Sequence, residues 1–313
     1  MDSNKTYLSK AITLIESTLA SHQQPAQELI MRCLPFSGKS IRIGISGSPG
    51  VGKSTFIESF GKFLFGKNYK IAVLAIDPSS NRSKGSILGD KTRMEELSSL
   101  QNVFIRPSPS SGTLGGVARK TREAIILCEA AGFDLIIVET VGVGQSETAV
   151  HSLVDFFLLL LLPGAGDELQ GIKRGIMEMA DAILINKADG ENIAKAQIAL
   201  AEIRNALHFF RLKDSEWSPV AELCSAKDST GIPEIWDVVC RYIDQSKSTG
   251  YFEKRRIEQY MQTLYKSIEE ALMTNFLHSP GISDGLNQME ARIKAGEISS
   301  YQAANELLKL YSK

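Results

Sequence analysis

The sequence lacks the features that mark several classes of protein. Four cysteines are spread over 313 residues without a Cys-x-x-Cys pair, which argues against a disulfide framework or a zinc site and favours reduced thiols. The formal charge is only −1, so no global basic field points to nucleic acid or to an acidic membrane surface. The most apolar run, residues 154–162, is interrupted by Asp155 and is too short to cross a bilayer, so a buried strand is favoured. The N-terminus has no apolar core of the signal-peptide type, and we expect a cytoplasmic protein.

Between residues 41 and 226 short apolar runs alternate with helical segments. The runs are IRIGIS (41–46), KIAVLAID (70–77), VFIRP (103–107), DLIIVET (134–140), DFFLLLLL (155–162), DAILINK (181–187) and PVAELCSA (219–226). This alternation predicts an α/β fold, with a doubly wound, mostly parallel sheet that is covered by helices on both faces.

Helical segments flank the predicted sheet. Residues 7–33 place Leu8, Ala11, Ile12, Ile15 and Leu19 on one helix face, and Pro25 is expected to open a second short helix. Residues 251–276 carry one apolar stripe on a long helix, and two shorter helices are expected around 284–294 and 298–311. The stripe either packs on the chain's own core or forms a homodimer interface. The predicted division is an N-terminal helical extension (1–38), a nucleotide-binding G domain (39–248) and a C-terminal helical dimerisation arm (249–313).

One motif predicts a phosphate site. GSPGVGKS (47–54) matches G-x-x-x-x-G-K-[ST], follows an apolar strand and precedes a helical segment, which is the context that this motif requires. Its glycines let successive backbone N–H groups face the phosphates, Lys53 places a charge at the β- and γ-phosphates, and the Ser54 hydroxyl coordinates Mg²⁺. The predicted contacts are Gly47, Ser48, Pro49, Gly50, Val51, Gly52, Lys53, Ser54 and Thr55.

A second motif predicts the base. Asn186, Lys187 and Asp189 form an N-K-x-D pattern at the end of a strand, and the Asp189 carboxylate can accept from N1–H and the 2-amino group of guanine. Adenine offers neither donor there, so the motif favours GTP over ATP. Further along, Ser225, Ala226 and Lys227 resemble the loop whose backbone N–H holds guanine O6.

Hydrolysis needs acidic groups near a metal and a group that holds the γ-phosphate. Asp77 and Glu139 each end a predicted parallel strand, where open α/β sheets bind their ligands, although either could be a solvated strand end or a helix cap. Glu139 stands where many GTPases have Asp in D-x-x-G, and Gly142 is then free to donate its N–H to the γ-phosphate. No arginine is clearly placed to act as an arginine finger that stabilises the transition state, so slow intrinsic hydrolysis of GTP is expected. Gln145 is a candidate for positioning the attacking water, but its spacing from the preceding glycines does not determine where its side chain points.

Two polar, glycine-containing segments are candidate switches. Residues 78–95 include Asp90, and residues 163–174 include Lys173 and Arg174. Loops of this kind beside a nucleotide are ordered by the γ-phosphate and released on hydrolysis. The alternative is that these charges are simply solvated.

Four longer segments carry a resemblance to a known family. IDPSSNRSKGSILGDKTRM, FIRPSPSSGTLGGVARKTRE, ETVGVGQSE and PGAGDELQGIKRGIMEMAD together resemble the MeaB/ArgK/MMAA family of P-loop GTPases. The resemblance implies that Asp77, Asp90, Glu139 and Lys173 are metal and switch residues, with Ser54, Asp77, Asp90 and Glu139 at the metal. It also implies a homodimer that acts as a chaperone of an adenosylcobalamin-dependent acyl-CoA mutase such as methylmalonyl-CoA mutase, gating cofactor loading and protecting the enzyme from inactivation.

Other functions remain open from the sequence. No D-x-H-x-x-G segment is present, so the cobalamin is expected on the partner and the four histidines are interpreted as structural or surface residues. A metal-insertion GTPase would need a His-rich or Cys-x-x-Cys loading site, and a kinase of a transport protein fits poorly with guanine selectivity. A nucleotide-dependent interaction module with negligible turnover is the last alternative, and only a turnover measurement separates it.

Overall fold

The computed structural model describes residues 5–76, 94–108, 114–140, 146–164, 174–210 and 214–311. Within it the chain forms two compact units, Met1–Gln259 and Tyr260–Lys313. The division into an extension, a G domain and an arm stays a prediction.

Seven strands form one sheet in the first unit. They are β1 (Ile41–Gly47), β2 (Ile71–Ile76), β3 (Val103–Ser108), β4 (Leu135–Thr140), β5 (Phe156–Leu161), β6 (Ala182–Ile185) and β7 (Val220–Leu223). Their order is β3-β2-β4-β1-β5-β6-β7, and every neighbouring pair is parallel. All seven predicted runs are therefore strands, and the α/β prediction is confirmed.

Twelve α-helices accompany these strands in the described ranges. They are α1 (Lys5–Glu16), α2 (Ala20–Cys33), α3 (Lys53–Gly66), α4 (Glu95–Ser99), α5 (Leu114–Ala130), α6 (Ser146–His151), α7 (Arg174–Met179), α8 (Ile193–Leu207), α9 (Ile232–Ser248), α10 (Tyr251–Leu277), α11 (Ile282–Lys294) and α12 (Ser300–Tyr311). None of the helices in those ranges is both long and apolar enough to span a membrane.

Alternating side chains of each strand enter two separate cores. On β4, Ile136 and Val138 pack with residues of α1, α5 and α8, whereas Leu135 and Ile137 pack with residues of α3 and α9. Because successive strand residues point to opposite faces, a continuous apolar strand fills both cores at once. The carboxyl ends of the strands then lie together along one edge of the sheet.

The N-terminal prediction needs a correction. The second helix begins at Ala20, so Pro25 lies inside it rather than at its start, and Leu19 caps the helix with its side chain 59% exposed. Proline removes one helical hydrogen bond. The carbonyl that loses this bond belongs to Ser21, which is exposed, and water can take the place of the missing donor.

The second unit has a small core of its own. Met289, Ile298, Ala303 and Leu307 are buried together, with Phe276 packed beside them. This pairing of α11 with α12 accounts for the two short helices that the sequence predicted.

Candidate active site

The phosphate loop (residues 47–54) connects β1 to α3 by a backbone that requires glycine. Gly52 has φ +96°, and a Cβ built on it would lie 2.7 Å from Asn186 Nδ2. The first position, Gly47, is equally confined, because a Cβ there would lie 2.5 Å from the carbonyl oxygen of Leu160. The loop therefore closes tightly against β5 and the end of β6, and α3 begins immediately at Lys53.

The Lys53 ammonium lies inside this loop. Its Nζ donates to the carbonyl oxygens of Gly47 at 2.8 Å and of Ser48 at 3.1 Å, and the side chain is buried. Burial lowers the pKa of Lys53 from its ordinary value of 10.5, and the negative charges of Glu139 and Glu147 oppose that shift. The lysine is thus held among acceptors at the position where the motif places phosphate.

Oxygen ligands suited to a hard cation meet beside the lysine. Ser54 Oγ donates to Glu139 Oε1 over a long 3.4 Å, and Glu139 is buried at the end of β4. Next to it, Thr140 Oγ1 and Ser46 Oγ form a buried hydrogen bond of 2.9 Å that joins β4 to β1. A hydroxyl and a carboxylate are the ligands that Mg²⁺ takes in nucleotide enzymes, so these residues fit the metal.

One side chain joins the phosphate loop to the predicted base-binding loop. Asn186 Nδ2 donates to the carbonyl oxygen of Val51 at 2.8 Å, and the amide N–H of Ala226 donates to Asn186 Oδ1 at 3.0 Å. Asn186 is 1% exposed, so both bonds are shielded from water. The two loops, 175 positions apart in sequence, are therefore fixed relative to each other through Asn186.

The carboxylate predicted to bind the base, that of Asp189, is oriented by its neighbours. Ser225 Oγ donates to Asp189 Oδ2 at 2.7 Å and accepts from the backbone N–H of Asp228 at 3.1 Å. The Ala226 N–H already donates to Asn186. The next backbone N–H along the loop that could donate to a base is therefore that of Lys227. The guanine-recognising roles of these residues stay a prediction.

A cavity of about 540 Å³ opens on the phosphate side of the site, and Asp189 and residues 225–227 do not line it. It is lined by the phosphate loop and the start of α3, by the ends of β2 and β4, and by Lys187; among the predicted residues it contains Pro49, Gly50, Gly52, Lys53, Ser54, Thr55 and Glu139. The aliphatic stem of Lys187 approaches Gly52, and its backbone has φ +60°.

Several predicted site residues lie outside the described part of the chain. They are Asp77, Asp90, Gly142 and Lys173, together with Gln145. Their roles at the metal and the γ-phosphate remain predictions.

The sequence reasoning did not single out Glu147. This glutamate lies in the first turn of α6, is 4% exposed, and has an Oε2 atom without a hydrogen-bond partner among the described residues. A buried carboxylate close enough to influence Lys53 belongs to the surroundings of the site. Its position directly after the glycine-rich segment that follows Glu139 was the available signal.

Comparison with known proteins agrees with this geometry. Residues 8–280 match the family model described as methylmalonyl-CoA mutase-associated GTPase MeaB. The chain is 47% identical to the mouse protein named methylmalonic aciduria type A homolog, mitochondrial, over 97% of this chain and 76% of that one. It is 43% identical to the GTPase ArgK of Escherichia coli, over 96% of this chain and 91% of that one.

A solved structure also matches over the full length. The crystal structure described as LAO/AO transport system kinase has a TM-score of 0.79 and 35% identity, and the match covers 100% of this chain and 95% of that one. The family match, the relatives and the nucleotide loops lead to one conclusion: the chain belongs to the MeaB family of P-loop GTPases, which bind guanine nucleotide and hydrolyse GTP.

Proposed function

We propose that GTP binds with its phosphates in this cavity, on residues 47–54, and with its guanine beyond it, between Asp189 and the loop 225–227. The observation that carries this proposal is the Asn186 bridge, because it fixes the phosphate loop and the base loop for a single ligand. Asp189, held by Ser225, then accepts from N1–H and the 2-amino group of guanine.

In this proposal the phosphates are bound by exchange. Lys53 transfers its hydrogen bonds from the Gly47 and Ser48 carbonyl oxygens to the β- and γ-phosphates. Its ammonium charge then interacts with the phosphates instead of with the loop carbonyls. Ser54 and Glu139, with Asp77 and Asp90 by family resemblance, would hold Mg²⁺, which neutralises charge on the phosphates during hydrolysis. Lys173 is proposed as a switch residue and Gly142 as a donor to the γ-phosphate.

We further propose that hydrolysis serves an adenosylcobalamin-dependent acyl-CoA mutase, most simply methylmalonyl-CoA mutase, whose cofactor loading and protection the GTPase controls. Support comes from the family description and from the name of the mouse relative. The cobalamin would be on the mutase. A transport-linked partner is the second candidate, because the similar solved structure is described as a LAO/AO transport system kinase. The described residues contain four free cysteines, which are typical of a reducing compartment, so we propose that the protein functions in the cytoplasm.

The proposed assembly is a homodimer formed through α10. Five apolar side chains recur on this helix at spacings of three and four and are 42–61% exposed: Ile257, Met261, Leu264, Ile268 and Leu272. A stripe of this kind on one long helix is self-complementary, since a second copy presents the same surface. Leu264→Glu should convert the dimer to a monomer in light scattering, whereas Lys266→Glu, which introduces a glutamate at an exposed position outside the apolar stripe, should not. A monomeric wild type would remove the dimer from the proposal.

The function is tested by GTP turnover with Mg²⁺, measured alone and with the methylmalonyl-CoA mutase of the same organism. We expect slow turnover alone and a large stimulation by the mutase. Unchanged turnover with the mutase would refute the client while leaving the GTPase in place. Lys53→Ala is the control for the site, and normal GTP affinity in that variant would refute the proposed position of the phosphates.

A further inference from the structure

The start of α10 is bonded to the segment between α6 and β5. Gln259 Nε2 donates to the carbonyl oxygen of Val154 at 2.9 Å, and Arg256 forms an ion pair with Asp155. Arg255, the residue before Arg256, donates to His151, the last residue of α6. All of these residues belong to the first unit.

Arg256 is a fixed anchor. Its Nε and Nη2 donate to the two carboxylate oxygens of Asp155 at 2.8 and 2.7 Å, and it also donates to the carbonyl oxygens of Gly38 and Ser40. The Asp155 carboxylate in turn accepts from the backbone N–H of Arg42 on β1 at 2.9 Å. A buried, bidentate pair in which each of the three guanidinium nitrogens donates is not readily rearranged.

Arg255 is held more weakly. It is buried and forms no ion pair with a carboxylate among the described residues, although the negative charge of Asp181 raises its pKa against the effect of burial. Its hydrogen bonds go to His151 Nε2 at 3.1 Å, the His151 carbonyl oxygen at 3.4 Å and the Tyr251 hydroxyl at 3.4 Å. Because a guanidinium only donates, His151 Nε2 must be the acceptor, and a small movement of His151 breaks the bond.

The other end of α6 carries a buried carboxylate. Glu147, in its first turn, is buried and its charge acts on Lys53. Val150, next to the last residue of the helix, packs on β1 at Gly44, where a built Cβ would lie 2.9 Å from Val150 Cγ1. Six residues of helix are about 9 Å long. A short rigid helix thus lies between the strand that leads into the phosphate loop and Arg255.

We propose that α6 couples the state of the nucleotide site to the first turns of α10 through the hydrogen bond between His151 and Arg255. Replacing GTP by GDP changes the charge beside Glu147, the helix shifts on Gly44, and Arg255 gains or loses its acceptor while Arg256 keeps the helix attached. The proposal rests on the proposed position of the phosphates at Lys53. It makes the stability of residues 251–259 depend on which nucleotide is bound.

Hydrogen exchange of the backbone in residues 251–259 tests this coupling. We expect the exchange rate of that segment in the wild type to differ at least threefold between the GDP complex and the complex with a non-hydrolysable GTP analogue. His151→Phe removes the acceptor and should abolish the difference, whereas His151→Gln keeps a side-chain acceptor and should retain it. Equal exchange in the two wild-type complexes, or a full difference in His151→Phe, would overturn the proposal.

Two controls separate the possible failures. Arg119→Gln disrupts only an exposed pair with Glu123 on α5 and should leave the nucleotide-dependent difference unchanged. Should His151→Phe not fold, Arg255→Met removes the same hydrogen bond from the other side and must give the same loss. Binding of a fluorescent GDP analogue is measured for each protein: unchanged affinity with lost exchange difference supports the coupling, whereas a wild type that does not bind refutes the proposed position of the phosphates itself.

Discussion

Replacing Gly52 by alanine tests the Asn186 bridge most directly. The backbone of Gly52 has φ +96°, a conformation that costs a residue with a Cβ about 1–2 kcal/mol. The new methyl group would also lie 2.7 Å from Asn186 Nδ2, so the amide must move away and its bond to the Val51 carbonyl is lost. Leaving that buried carbonyl without a donor costs about a further 1–3 kcal/mol.

The same loop provides the matched control. Gly50 has φ +80°, but a Cβ built there meets no atom within 4 Å. Gly50→Ala should therefore lose only the 1–2 kcal/mol of backbone strain, roughly, while Gly52→Ala should lose about 2–5 kcal/mol. The difference between the two variants isolates the displacement of Asn186.

Urea unfolding of the nucleotide-free protein, followed by tryptophan fluorescence, is the suitable assay. The chain has two tryptophans, Trp217 and Trp236, and both are buried in the core of the first unit, so the signal reports on that unit alone. Equal destabilisation by the two glycine substitutions would show that Asn186 can move without lowering the free energy of unfolding, and it would refute the reasoning. A larger loss in Gly52→Ala should be accompanied by weaker GDP binding, because Asn186 also holds the N–H of Ala226.

Three further predictions concern other parts of the first unit. Asp189→Asn should shift nucleotide preference from guanine to xanthine in competition binding, and unchanged selectivity would contradict its role. Asp155→Asn leaves the buried Arg256 without its partner and should lower the free energy of unfolding by about 3–5 kcal/mol, against less than about 0.5 kcal/mol for the exposed Arg119→Gln. Burial raises the pKa of Glu16 above its ordinary 4.5 although Arg106 opposes this, so the stabilising effect of this group is present below pH 4.5 and is lost as the pH rises through the folded-state pKa. In unfolding measured from pH 4 to 7, Glu16→Gln should gain stability relative to the wild type with rising pH, and a falling difference would disprove the sign.

The sequence was sufficient to predict the strands and the place of residues 47–54 between a strand and a helix. Strands such as β5 are apolar on both faces, and that pattern occurs where a parallel sheet is covered on both sides. The phosphate motif could be placed because it depends on local backbone geometry and on the order of strand, loop and helix. Pro25 was misplaced, since a proline tolerated inside a solvent-facing helix has the same local sequence as one that opens a helix.

Long-range polar contacts could not be predicted. Arg42 lies within an apolar run on β1, and nothing near it in sequence indicates that its guanidinium pairs with Glu129, 87 positions away. Asp155 attracted attention only because it interrupts an apolar run, whereas its partner Arg256 lies 101 positions further on. Such pairs depend on which strands and helices become neighbours, and periodicity carries no information about that.

The buried polar groups at the two ends of the central strands differ in their hydrogen bonding. Toward the amino ends of β1 and β5 they are mutually satisfied: Glu129 accepts from Arg42, Ser40 and the N–H of Gly38. At the carboxyl ends, the buried Glu147 has an Oε2 atom without a hydrogen-bond partner among the described residues. Burying a polar atom without a partner is costly, so a ligand that brings a cation or a hydrogen-bond donor to this edge is expected to stabilise the fold. The nucleotide is thus expected to stabilise the edge of the sheet that binds it, while the opposite edge keeps the strands aligned whether or not the nucleotide is bound.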